Sequence, residues 1–173
     1  EKEKSNPLSR EDRAATPSPL GKIPCLVTAD GQPVFDSPVI MEYLDTVCEG
    51  PEMLPKSGDA RWMVLRRQAT ADGMIDSMVT CFVESLKKPE RQSGGILAHN
   101  KAIVFKAIAA LEQEAAAFGD TVDIGTISVA VALSFANQTF PDEDWRAEHP
   151  VLAAWFDSFD QRPSMRESVL VDA

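Results

Sequence analysis

The sequence predicts an α+β chain in two segments. Two short apolar runs flank an Asp30-Gly31 pair, the mark of a β-hairpin. Everything after Asp59 repeats apolar residues at helical spacing. A two-stranded hairpin with one helix is too little to stand alone, so the first segment needs further strands.

Residues 1–19 are polar and carry Pro7, Pro17 and Pro19. They read as a strand end or loop, with at most a short helical turn around 11–15. Residues 25–28, Cys-Leu-Val-Thr, form a short apolar strand. Asp30-Gly31 predicts a type I′ turn, in which both central residues take positive φ. Val34-Phe35 begins the return strand. Pro33 cannot donate a ladder hydrogen bond, which places this strand at a sheet edge.

Ser37 reads as a helix N-cap with Pro38 at the first helical position, where a missing N–H costs nothing. Val39, Ile40, Tyr43, Leu44 and Val47 share one apolar face, and Gly50-Pro51 stops the helix. Residues 50–58 read as a linker, which divides the chain into 1–49, 50–58 and 59–173.

Four helices follow. The first spans 60–86, with Leu65, Ala69, Met78, Val79, Phe82 and Leu86 on its expected buried side. The second spans 96–118, with Ile103, Ile108, Leu111, Ala115 and Phe118 on one face and Gly119 as the residue that ends it. The third, 124–137, is apolar nearly all round and belongs in the middle of a bundle. Asp123 caps it, and Thr126 is placed to bond back to the cap. The fourth, 150–161, carries Leu152, Trp155, Phe156 and Phe159.

A formal net charge of −10 argues against nucleic acid and anionic membrane surfaces as partners, because their phosphates are repelled. The cysteines Cys25, Cys48 and Cys81 are odd in number and lack metal-site spacing, which suits a reducing, cytoplasmic setting. With only His99 and His149, no metal site is expected. No run approaches the length of a membrane span, and no signal peptide is visible.

Four stretches together, NPL (6–8), PLGKIP (19–24), FDSPVIMEYLD (35–45) and WRAEHPVLAAWFDSFDQRPSMRES (145–168), resemble the glutathione S-transferase family, in particular a bacterial cytosolic subgroup with GKxP and FDSP motifs. The resemblance implies the C-terminal part of a thioredoxin-like domain followed by an all-α helical bundle, with the family's first strand and helix lying before residue 1. It implies a homodimer and glutathione as co-substrate, conjugated to a small-molecule electrophile or used to reduce it. The family's catalytic Ser, Cys or Tyr belongs to the preceding part, so no catalytic residue is assigned. A non-catalytic binding or scaffold protein on the same fold is the alternative, because fold does not dictate function. Lyase, isomerase or peroxidase chemistry on bound glutathione is a third possibility.

The same resemblance supplies site roles. Pro24 matches the family's cis-proline, which turns the backbone of Ile23 toward the cysteinyl part of glutathione. Ser37 matches the residue holding the γ-glutamyl carboxylate at a helix N-terminus, and Asp36 pairs with the γ-glutamyl ammonium. The family more often has Glu or Gln at the position of Asp36. Lys22 either reaches the glycine carboxylate or is simply solvated. Asp72 either crosses the dimer interface to the glutathione ammonium or is a surface carboxylate beside Gly73, with that glycine allowing close helix packing. Met74, Ile75 and Met78 are expected to line the apolar substrate pocket, where adaptable side chains suit varied substrates. Arg61, Arg66 and Arg67 are either exposed helix charges or the entry to that pocket. Cys25 reads as a small buried strand hydrophobe.

Overall fold

The structure, a computed structural model, describes residues 5, 6 and 9–168. Pro7 and Leu8 of the NPL stretch lie outside the described residues. The chain divides into two compact units, Glu1–Leu54 and Pro55–Ala173.

The first unit opens with a short helix, α1 (Arg10–Ala15), whose N-cap Ser9 accepts from the Asp12 N–H. Strands β1 (Leu26–Val27) and β2 (Pro33–Val34) then pair antiparallel, with Leu26 opposite Val34 and Val27 opposite Pro33. The turn differs from the expected type I′. Among the described residues only glycines have positive φ, so Asp30 does not adopt the left-handed conformation and Gly31 does, at φ 83°. The loop is therefore three residues long, Ala29 to Gly31, closed by the Gly31 N–H on the Thr28 carbonyl at 2.9 Å. Side chains explain the choice. The Thr28 hydroxyl donates to Asp30 Oδ1 and accepts from the Gln32 N–H at 2.9 Å, which ties the turn together without a second positive φ.

Helix α2 (Ser37–Val47) follows directly. Its N-cap is Asp36, one residue earlier than the sequence reading, so Ser37 is the first helical residue. The Asp36 carbonyl accepts the first intrahelical bond, from Ile40 N–H at 2.9 Å. Ile40 is the one buried residue of this helix.

The second unit is helical. It comprises α3 (Gly58–Ser85), a single 3₁₀ turn at Pro89–Arg91, α4 (Gly94–Ala115), α5 (Ile124–Thr139), α6 (Trp145–Glu148), α7 (Pro150–Phe159) and α8 (Pro163–Glu167). Helix α3 packs on both α4 and α5, and α7 packs on α4. As expected of a helix apolar nearly all round, α5 is buried over most of its surface. It begins with a complete capping box: Asp123 accepts from the Thr126 N–H at 2.8 Å, and the Thr126 hydroxyl accepts from the Asp123 N–H at 3.0 Å. Leu152, Trp155, Phe156 and Phe159 of α7 all enter the core, where Trp155 meets Phe118 edge-on with centroids 4.9 Å apart.

Helix α3 departs from the expected face. Met78 is buried as expected, but its buried companions are Val64, Ala71, Met74 and Cys81, whereas Val79, Phe82 and, just past the helix, Leu86 are 44%, 47% and 56% exposed. Both sides of this helix carry apolar residues, so periodicity alone does not choose between them. On α4 the core positions are Val104, Ile108, Leu111 and Ala115, and Ile103 faces outward. Helix α4 is also long and apolar enough, by length and composition, to cross a membrane, which the sequence reading did not anticipate. Its stripe from Val104 to Ala115 packs into the helical core.

Glycine roles also differ from expectation. A Cβ at Gly73 meets nothing within 4 Å, so no close packing among the described residues of this chain requires that glycine. Gly125 does: a Cβ there lies 2.8 Å from the Val64 carbonyl and 3.0 Å from Arg67 Cβ. Two carboxylates act over long sequence distances or between elements. Glu112 on α4 accepts from the Val151 and Leu152 N–H groups and so caps α7, whose own N-cap, His149, provides no side-chain bond. Glu84 accepts from the Ser93 N–H at 2.7 Å and from Lys87, tying the end of α3 to the start of α4.

Candidate functional site

The hairpin register organises the first unit's candidate residues. Leu26 stands opposite Val34, so the chain entering β1 and the chain leaving β2 sit at the same end, away from the Ala29–Gly31 turn. Lys22, Ile23 and Pro24 therefore approach the hairpin where Asp36 and Ser37 depart from it. The Ile23–Pro24 peptide is cis, as expected, and Phe35–Asp36 is a second cis peptide. Lys22, Pro24 and Asp36 are exposed, Ile23 is 49% exposed, and Ser37 is half-buried.

The start of α2 suits an anion. The N–H groups of a first helical turn lack intrahelical acceptors, and the macrodipole adds positive potential there. Asp36 supplies no side-chain cap bond, so its carboxylate is not spent on the helix it precedes. A hydroxyl at the first helical residue, backbone donors around it and an exposed carboxylate just before it can together receive a zwitterionic amino-acid group. The carboxylate of such a group would meet Ser37 and the helix end, and its ammonium would meet Asp36.

The second unit places the remaining candidates differently. Asp72 is half-buried on α3. Met74 and Met78 are fully buried in the helical core, and Ile75 packs partly buried against it. The two methionines thus offer no surface to a ligand in this structure, a departure from the expected pocket lining. They lie one turn apart on the stripe that α4 and α5 cover. Arg67 is structural as well. It is 5% exposed, reaches Glu114 at 3.4 Å and lies 4.5 Å above the Phe118 ring. Arg66 also pairs with Glu114, at 2.8 Å, and Arg61 donates to the Pro55 carbonyl.

The cysteines are all free. Cys25 is half-buried just outside β1 rather than within a strand. Burial pushes the Cys81 thiol up from its ordinary value, which keeps it protonated and poorly nucleophilic. Among the described residues no group of three or more His, Cys, Asp or Glu side chains is arranged to hold a metal ion.

Comparison with known proteins bears on this arrangement. Residues 3–47 match the family model for the glutathione S-transferase N-terminal domain, and residues 95–158 match that for the C-terminal domain. The chain is 29% identical over 161 residues to the uncharacterized GST-like protein YibF of Escherichia coli strain K12, covering 91% of this chain and 80% of that protein. A crystal structure of a glutathione transferase family member from Pseudomonas fluorescens Pf-5 with bound glutathione is 37% identical. It superposes with a TM-score of 0.91 over 98% of this chain and 84% of that one. A structure from the same organism with bound S-(propanoic acid)-glutathione is 40% identical, with a TM-score of 0.85 over 89% and 80% of the two chains.

Proposed function

The chain belongs to the glutathione S-transferase family, and from that membership we propose that it binds glutathione as co-substrate and uses the thiol to conjugate or reduce a small electrophile. The observation that carries the reading is the hairpin register, which brings the chain preceding β1, with Ile23, and the chain following β2, with Asp36 and Ser37, to the same end of the hairpin. In this assignment residues 1–49 form part of a thioredoxin-like glutathione-binding domain and 59–173 an all-α domain, joined by 50–58. The Ile23 backbone pairs with the cysteinyl backbone of glutathione in the manner of an added strand, with Pro24 holding it there. Ser37 and the start of α2 take the γ-glutamyl carboxylate, Asp36 takes the ammonium, and Lys22 takes the glycine carboxylate.

In the conjugation step the glutathione sulfur forms a bond to an electrophilic carbon, and the thiol proton and the displaced group leave together. Addition to an activated double bond instead returns the proton to the neighbouring carbon. In the reductive alternative the glutathione thiol gives up its proton, its sulfur bonds to one sulfur of a disulfide to form a mixed disulfide, and the other sulfur leaves and takes up that proton as a thiol. The described residues bind and orient; none is assigned to proton removal from the thiol. The S-(propanoic acid) conjugate held by the 40% identical relative supports a small electrophile as second substrate.

A homodimer is part of the proposal. Val79, Phe82 and Val83 on α3, Leu86 just past its end and Ile96 on α4 are exposed apolar residues that a two-fold interface would cover. Asp72 is assigned to the ammonium of glutathione bound by the partner protomer. The three free cysteines and the acidic charge fit a cytoplasmic setting.

Calorimetric titration with glutathione tests the reading. The intact protein is expected to bind, and Ser37→Ala to weaken binding by about 1.5–3 kcal/mol, the range for a hydrogen bond to a charged group. Unchanged affinity in that variant removes Ser37 from the site. Binding without turnover of any of a panel of electrophiles points to the non-catalytic alternative.

A further inference from the structure

Asp45 lies in the last turn of α2, where a carboxylate faces the negative end of the helix dipole and no basic residue offsets it. Its charge is locally unfavourable there and calls for another reason. The structure supplies one. Asp45 Oδ1 accepts from the Met53 N–H at 2.7 Å, and Oδ2 accepts from the Leu54 N–H at 3.2 Å. Both oxygens of one carboxylate thus hold two consecutive backbone donors across a loop of five residues. Those residues, 48–52, are all exposed, so no burial holds the loop in place. Leu54, at the end of the clamped stretch, is 4% exposed.

The first unit has little else with which to position this helix. Of its apolar described residues only Ile40 and Leu54 are buried. Ile40 anchors α2 near its start, and the Asp45 clamp anchors it near its end. Charge-assisted bonds to backbone N–H are the stronger class of hydrogen bond, and these two close the loop that brings Leu54 into place.

We propose that Asp45 is a positioning residue for the ligand-binding start of α2: by fastening the far end of the helix to Met53 and Leu54, it holds Asp36 and Ser37 in register with Ile23. This rests on the glutathione reading above for the identity of the ligand, but the clamp itself does not. Asp45 touches no substrate in this role. Its loss leaves the site's groups intact and lowers the fraction of molecules in which they are aligned. Apparent affinity falls by that fraction.

The test compares Asp45→Ala, Asp45→Asn and a control, Glu49→Gln, in the exposed loop, all in the full chain. Hydrogen exchange followed by mass spectrometry reads the clamp, and calorimetry with glutathione reads the site. In Asp45→Ala, exchange is expected to quicken at residues 40–44 and 53–54, and the glutathione Kd to rise about tenfold, as if roughly a tenth of molecules stay aligned. Asp45→Asn keeps one acceptor oxygen and is expected to fall between Ala and wild type, while Glu49→Gln matches wild type. Under turnover the KM for glutathione rises in Asp45→Ala with kcat unchanged, because saturating glutathione recovers the aligned state. Wild-type exchange and affinity in a folded Asp45→Ala or Asp45→Asn overturn the proposal. Faster exchange with unchanged glutathione affinity also overturns it, leaving Asp45 a purely structural clamp. A wild-type chain that binds no glutathione instead overturns the functional reading, and exchange then decides the clamp alone.

Discussion

The two units differ in what stabilises each of them internally. Pro55–Ala173 owns a continuous apolar core in which α3, α4, the turn after α4, α5 and α7 contribute fully buried side chains, Phe118 of that turn and Met74 of α3 the largest among them. Glu1–Leu54 buries two apolar side chains among its described residues and otherwise relies on polar devices. These are the Ser9 cap of α1, the Thr28 and Asp30 side chains in the hairpin turn, and the Asp45 clamp. Apolar burial is the main source of folding free energy, so the helical unit dominates stability. The smaller unit carries the proposed ligand groups on local hydrogen bonds whose net worth is modest. Exposed groups on a lightly buried frame suit ligand binding, because low-stability elements are those that can adjust.

Breaking the helical core should separate the two most clearly. Phe118 is fully buried beneath Arg67 and against Trp155, and Phe118→Ala is expected to cost about 3–5 kcal/mol of stability by denaturant unfolding. Gly125→Ala should cost less, about 1–3 kcal/mol, because α3 and α5 must separate slightly to admit the new methyl group. Asp123→Ala removes half of the α5 capping box and should cost about 1–2 kcal/mol. Equal losses for Phe118→Ala and Asp123→Ala would show that the core does not dominate as argued.

The smallest effect concerns pH. The Lys87 hydrogen bond, then the Ser93 N–H, lowers the Glu84 carboxyl from its ordinary value of 4.5, against a smaller opposing effect of burial. A carboxylate depressed in the folded state binds its proton less readily than in the unfolded chain. Its stabilising contribution is therefore complete above 4.5 and is lost as pH falls through the lower folded value. Glu84→Gln should flatten that part of the acid limb in thermal melts recorded between neutral pH and pH 3, while leaving glutathione affinity at neutral pH unchanged. An acid limb identical to wild type would dismiss the Glu84 tie as a stability determinant.

Much of the local structure was legible in the chain because its signals lie in neighbouring residues. Asp123 and Thr126 announced the start of α5, Pro150 that of α7, and the apolar runs around Asp30-Gly31 the hairpin. The cis Ile23–Pro24 peptide was legible through the family motif rather than through periodicity. Even locally, the hairpin loop is one residue longer than expected, because the Thr28 side chain ties the turn another way, and the α2 cap lies one residue earlier, because the Asp36 backbone carbonyl takes the first helical bond.

Facing and long-range satisfaction were decided only by the tertiary structure. Helix α3 carries apolar residues on two sides, and packing against α4 and α5 selected the Val64–Met78 side, drawing Met74 and Met78 out of the expected pocket and into the core. Gly73 stood out in the sequence, yet Gly125 is the glycine that helix contact requires. Glu112 is an ordinary helix carboxylate by sequence, yet it caps a helix nearly forty residues away, and Asp45 looks misplaced until Met53 and Leu54 come back to it. Propensity, capping and turn chemistry act between residues a few positions apart and can be read along the chain. Which face is buried, and where a buried donor finds its acceptor, depends on elements that only the folded chain brings together.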